Sequence, residues 1–250
     1  MGDFTAIRVE GDEPVGRITL ARPAKLNALS RAVLEELAAA AAWFDERPDV
    51  KVVVVAGEGR AFSAGFDLGD PTWVELGPPA LSTGVGRAMA DAVGGMQAIT
   101  VASIRGHCIG GGVVLAAACD LRVAADSTRF KIPEVDLGIP LYWSGIPRLV
   151  RELGASVTKD LVLTGRELGV DEARSLRFVN RVVPDADLEA ATDELAALLA
   201  SQPGFVLRTT KRQVEEAAPA VPDGVGDVDA DRVGFEQAAA DPECRAEAAA

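Results

Sequence analysis

Catalysis draws on nucleophiles, on groups that titrate near neutral pH, on metals or on oriented dipoles, and most of these are scarce in this sequence. It holds one histidine, His107, and three cysteines, Cys108, Cys119 and Cys244. No cysteine pair stands at metal-ligand spacing, so no zinc site is expected. Neither the G-x-x-x-x-G-K-[ST] phosphate loop nor the G-x-S-x-G nucleophile elbow occurs. The stretch GVGRAM (84–89) opens like a dinucleotide fingerprint, but Met89 stands where the third glycine belongs, and a helix start is the better reading. A Ser63/His107/Asp120 relay is a conceivable hydrolytic arrangement. Asp120, however, lies at the far end of the helix that Gly110 opens, roughly 10 Å or more from His107 at about 1.5 Å per residue.

What remains is a pair of backbone loops. GRAFSAGFDL (59–68) follows one strand-like run, and GHCIGGGVVL (106–115) follows another and leads into a helix. The first N–H groups of a helix have no intrahelical acceptor and carry partial positive charge. Two such donors aimed at one carbonyl oxygen form an oxyanion hole, in which one donor is worth about 3–4 kcal/mol in the transition state. Glycines suit this use because backbone without a Cβ can approach a ligand closely.

These loops need a scaffold, and the hydropathy pattern supplies one. FTAIRVEGDEPVGRITLARP alternates around GDEPVG and predicts a hairpin. NALSRAVLEELAAAAAWFDERPDV predicts a helix capped by Ser30, with Leu34 and Leu37 on one face and Pro48 as its stop. VKVVVVAGEG is a continuous β-branched run, as a strand buried on both faces requires. VASIRG and DLRVAAD predict strands on either side of the glycine-led helix, which makes an α/β domain with a largely parallel sheet. From about Ala186 the pattern turns helical, with a break at Pro203-Gly204.

Bulk properties narrow the function classes. The 250 residues are 48% hydrophobic, enough for one large core, and the net charge of −13 argues against nucleic acid and anionic membrane as partners. Residues 213–250 hold ten acids and two bases, a net −8 of that −13, which predicts a solvated acidic face or a loose tail. Three unpaired cysteines and an N-terminus without a signal-peptide core point to a reduced, cytoplasmic setting.

Four stretches, RPAKLNALS, GRAFSAGFDL, GHCIGGGVVLAAACDLRVA and FKIPEVDLGIP, together resemble the crotonase superfamily, the enoyl-CoA hydratase/isomerase family, in content, order and separation. The resemblance runs over about residues 5–185. It implies a ββα spiral core over residues 1–190 and a helical C-terminal region over 191–250 that builds trimers or dimers of trimers. It implies an acyl-CoA thioester as substrate, with no further cofactor and no metal. By motif position the oxyanion donors are the amides of Phe66 and Gly111. Lys25 corresponds to a cation for a CoA phosphate, Leu26 and Ala28 lie beside the ligand, and Ala64 and Asp67 flank the adenine or the oxyanion loop.

The family's hydratases use two glutamates. One of those positions is Val114 here; the other is kept as Glu134, after Ile132-Pro133. The resemblance therefore implies proton shuttling of the enoyl-CoA isomerase type by Glu134. Hydration, or acyl-CoA binding without chemistry, are the alternatives. Tyr142 and Trp143 replace the small residues usual at the acyl site, and they predict either helix packing or a reshaped acyl pocket. The late helix offers only Arg245 as a cation for CoA.

Overall fold

The computed structural model describes residues 4–72, 81–218 and 228–247. Alternation in the first 20 residues gives the expected hairpin, β1 (Ile7–Glu10) against β2 (Val15–Leu20), antiparallel with Ile7 opposite Leu20. Next comes α1 (Arg31–Asp45), where Ser30 accepts the Val33 N–H at 3.4 Å and Leu34 and Leu37 are buried. The valine run is β3 (Val52–Gly57). It is followed by α2 (Leu81–Gly95), β4 (Ile99–Ile104), β5 (His107–Ile109), α3 (Gly111–Ala118), β6 (Leu121–Ala125) and β7 (Arg129–Lys131). The remainder is α4 (Gly145–Thr164, interrupted at Gly154), β8 (Leu168–Gly169), α5 (Val170–Ser175), β9 (Arg181–Val183), α6 (Leu188–Ala200), α7 (Gly204–Ala217), α8 (Val228–Ala240) and α9 (Pro242–Glu247).

Six strands form one sheet in the order β1-β2-β3-β4-β6-β9, parallel except at the β1–β2 edge. Side-chain alternation divides it between two cores. Val53 and Val55 join Ala102 and Ile104 under α1, α2 and α3, while Val52, Val54, Val101 and Val123 meet Leu188, Leu195 and Ala196 of α6. A covered face on each side is why β3 reads as unbroken valine.

A second sheet, β5-β7-β8, was not expected. It arises because His107–Ile109 pairs with Arg129–Lys131 before the glycines start α3. The pairing fixes where α3 begins: Gly110 N–H donates to Lys131 O at 2.8 Å. Of the two expectations for the acidic end, the described part follows the solvated face and not the loose tail: Glu215, Glu216, Glu236, Asp241 and Glu243 are exposed, while α8 and α9 are helices, α8 packing on α2 and α9 on the turn Pro133–Leu137. None of the described helices is long and apolar enough to cross a membrane.

Candidate active site

The two loops singled out by their glycines meet. A Cβ built on Gly65 would lie 2.7 Å from Ile109 O and 3.5 Å from Gly111 N, so the Gly65–Phe66 segment rests directly on the start of α3. Leu29 N–H donates to Gly65 O (2.7 Å) and Asp67 N–H to Leu29 O (3.1 Å). Those bonds use the groups on either side of Phe66, which turns its own amide to the opposite side of the loop. Gly111 is the first residue of α3, where an N–H has no acceptor within the helix. Phe66 and Gly111 both line one cleft, which encloses about 740 Å³ of empty space with its mouth included.

Glu134 lies against that cleft, in the turn Pro133–Leu137. Two glycines make the room. A Cβ on Gly110 would come within 2.6 Å of Glu134 Oε1, and Gly110 itself has φ +49°, which a side chain rarely adopts. A Cβ on Gly111 would collide with the Trp143 ring. The triplet therefore lets a carboxylate and an indole close on the helix start as well as leaving backbone accessible.

Oε2 of Glu134 is buried with no hydrogen-bond partner among the described residues. Burial raises its pKa from the ordinary 4.5 to about 7, and its own backbone N–H opposes the shift only in part. Val114, fully buried, faces the same cleft and contributes only methyl groups. Tyr142 and Trp143 both line the cleft, and Trp143 also packs edge-on to Phe66, with ring centroids 5.9 Å apart. The Tyr142 hydroxyl is buried without a partner, and burial followed by the charges of Asp231 and Cys244 pushes its pKa up. Among the described residues lining the cleft, Glu134 is the only carboxylate.

The loop at residues 22–28 lies beside this cleft without lining it, apart from its contact through Ala64. Leu26 O accepts the Ala64 N–H at 2.8 Å, and Ala28 O accepts from Arg22 at 2.6 Å. Asp67 is turned inward: Oδ2 takes a 2.8 Å bond from Arg22 and Oδ1 one from Gly69 N–H at 3.2 Å, so it braces its own loop against the one that carries Arg22. Lys25 is exposed at the end of the short helical turn Pro23–Lys25.

Several contributors escaped the sequence reading. Asn27 is buried with φ +55°, and its amide donates to Glu58 O and Ala61 O, which ties this loop to the segment after β3. An asparagine between two apolar residues was the available signal. Phe235, from α8, also lines the cleft.

The conceivable relay is not assembled. Asp120 accepts from Thr100 N–H (2.7 Å), Thr100 Oγ1 (2.9 Å) and Lys211 (2.9 Å), Ser63 donates to Asn27 O (2.9 Å), and His107 is exposed. Burial pushes the Cys108 thiol up and that of Cys119 to about 12, so neither is a thiolate at neutral pH. The cleft thus brings the backbone of Phe66 and Gly111 and one buried carboxyl, with a pKa raised to about 7, to a common apolar space.

Known proteins resemble this chain in sequence and in fold. The profile of the family described as enoyl-CoA hydratase/isomerase matches residues 10–243. The Mycobacterium tuberculosis protein named "Probable enoyl-CoA hydratase echA8" is 35% identical over 217 residues, 86% of this chain and 82% of that one. An enoyl-CoA hydratase subunit from Geobacillus kaustophilus superposes with a TM-score of 0.78 at 35% identity, covering 94% of this chain and 88% of the other. A Thermobifida fusca chain solved in complex with acetoacetyl-CoA gives a TM-score of 0.77 at 31% identity, covering 94% and 93%.

Proposed function

The chain belongs to the enoyl-CoA hydratase/isomerase family, and from that premise we propose that it moves the double bond of an enoyl-CoA thioester, with Glu134 as its one proton carrier. The thioester oxygen sits between the amides of Phe66 and Gly111. Glu134, ionised, takes a proton from C2 of a 3-enoyl thioester. The electron pair spreads over the thioester oxygen and C2–C4 as a dienolate, which the two N–H groups stabilise. The carboxylic acid then returns the proton to C4, and the double bond ends between C2 and C3.

A pKa of about 7 suits both halves of the cycle. Lys25 meets a phosphate of the CoA, Leu26 and Ala28 with Ala64 and the braced Asp67 form the wall beside it, and Tyr142, Trp143 and Val114 shape the acyl space. The observation that carries this reading is that the apolar Val114 lines the cleft in which, among the described residues, Glu134 is the only carboxylate. Adding water across a double bond needs one group to activate the water and one to protonate carbon, and a lone carboxyl suits a shuttle better.

Hydration is the second reading, favoured by the names of the relatives. The two are separated by supplying 3-enoyl-CoA and 2-enoyl-CoA in separate reactions. Conversion of the first to 2-enoyl-CoA without hydration of the second is the expected result. Hydration of the second as the faster reaction overturns the proposal. Binding of both with neither consumed points to a carrier.

A further inference from the structure

Trp143 adopts a backbone conformation that a bulky side chain rarely takes, φ +62°, and Ser144 follows at φ +55°. This turn sends the indole into a slot between α2 and α3, against the Cα atoms of Gly86 and Gly111, where a Cβ on either glycine would collide with it. The ring then lies over the first residue of α3 and edge-on to Phe66, so it roofs the space in which the two oxyanion amides meet. The turn leaves the Trp143 N–H pointing into the protein. It is satisfied from far along the chain, by Asp231 Oδ2 at 3.0 Å in a buried bond. Asp231 belongs to α8 and is 9% exposed. It does not line the cleft, and so does not reach a ligand there.

We infer that Asp231 is a positioning residue, which fixes the left-handed turn at Trp143 by accepting its amide and thereby sets the indole over the oxyanion site. This rests on reading the cleft as an acyl-CoA site. A buried N–H without its acceptor carries a full desolvation penalty, and the turn relieves it by rotating back toward ordinary φ. That rotation draws the indole out of the glycine slot. The thioester carbonyl loses its fixed wall, and its alignment with the two amides degrades. The CoA-binding loop around Lys25 is elsewhere and is untouched. The cost therefore falls on the chemical step and on the acyl group, not on CoA recognition. The same link explains why the C-terminal segment folds back: α8 brings Asp231, and α9 packs its Cys244 carbonyl against Gly138, which ends the turn carrying Glu134.

The test compares Asp231→Ala, Asp231→Asn and Asp231→Glu in the full chain. Asparagine keeps an acceptor oxygen in place without charge; glutamate keeps the charge and displaces the oxygen. The backbone amide exchange of Trp143 is expected to speed up about 100-fold in Asp231→Ala and to stay within about threefold of the parent in Asp231→Asn. Turnover of 3-enoyl-CoA is expected to fall about 10- to 100-fold in Asp231→Ala, with affinity for free CoA unchanged. Asparagine is expected to restore it and glutamate is not. Should Asp231→Ala fail to fold, the order of the other two decides: an active Glu variant beside a dead Asn variant shows that charge matters and the hydrogen bond does not, and overturns the inference. Unchanged Trp143 exchange in Asp231→Ala overturns it as well. If the parent protein turns over no enoyl-CoA, the proposed function fails by itself. The exchange rates, and weakened binding of acetoacetyl-CoA beside unchanged binding of CoA, still test the role of Asp231.

Discussion

Replacing Glu134 by glutamine should inactivate the protein and stabilise it in one step. Burial holds the carboxyl at a pKa of about 7 against an ordinary 4.5, so ionising it costs more in the folded state than in the unfolded chain. At 1.36 kcal/mol per tenfold, the full difference is about 3 kcal/mol. A raised folded pKa means that stability is highest where the group is protonated in both states, below about pH 4.5, and is lost as pH rises to about 7. Glutamine never ionises and escapes this loss. The gain of Glu134→Gln over the parent is then about 3 kcal/mol at pH 8, shrinking to about 1.4 kcal/mol at pH 5.5. For a chain of this size that is a rise in midpoint of about 6–12 °C at pH 8. Thermal unfolding of both proteins at the two pH values, with turnover measured alongside, checks it. A variant that is no more stable at pH 8, with a gap independent of pH, would mean that the carboxylate is solvated in solution and not poised for proton transfer.

The remaining predictions concern the scaffold and the two ends of the ligand. Gly65→Ala places a Cβ 2.7 Å from Ile109 O at a backbone φ of +86°. It should push the Phe66 amide out of line and cut kcat by about 100- to 1000-fold, the loss expected for one oxyanion donor, with a much smaller change in KM. Arg122, 2% exposed, donates to the carbonyls of Ala116 and Cys119 at the far end of α3 and to that of Phe178 between α5 and β9, and it pairs with Glu152. Arg122→Leu leaves those carbonyls unmet and should cost about 3–5 kcal/mol in denaturant unfolding. Lys25→Ala should raise KM for a CoA ester about three- to tenfold with kcat unchanged, and the difference should shrink at high salt; a KM unaffected by the change removes Lys25 from the CoA site.

Local rules made the scaffold legible. The unbroken valines of β3 announced a strand covered on both faces, and Ser30 with Leu34 and Leu37 announced α1, because these signals depend on a few adjacent residues. The glycine triplet pointed correctly to the start of α3, although close approach by Glu134 and Trp143 is as much its reason as backbone access. The short strand β5 was hidden because its three residues pair with the equally short β7 and with the single residue Ser63. The roof of the cleft was hidden for a different reason. A tryptophan with positive φ, an aspartate buried 88 residues away and a phenylalanine from an acidic segment come together only through tertiary packing. Charge counting gave a solvated acidic face or a loose tail there; most of the described acids are indeed exposed, but Asp231 is buried and Phe235 half-buried against the cleft, which a charge count does not register.

The central claim is that one carboxyl carries the same proton away from C2 and back to C4. Supplying 3-enoyl-CoA deuterated at C2, and locating the label in the product by NMR, tests it directly. The account predicts 2-enoyl-CoA with a substantial share of the deuterium transferred to C4, since the buried Glu134 exchanges slowly with water during turnover. Product hydroxylated at C3, or 2-enoyl-CoA with no deuterium at C4, would contradict it.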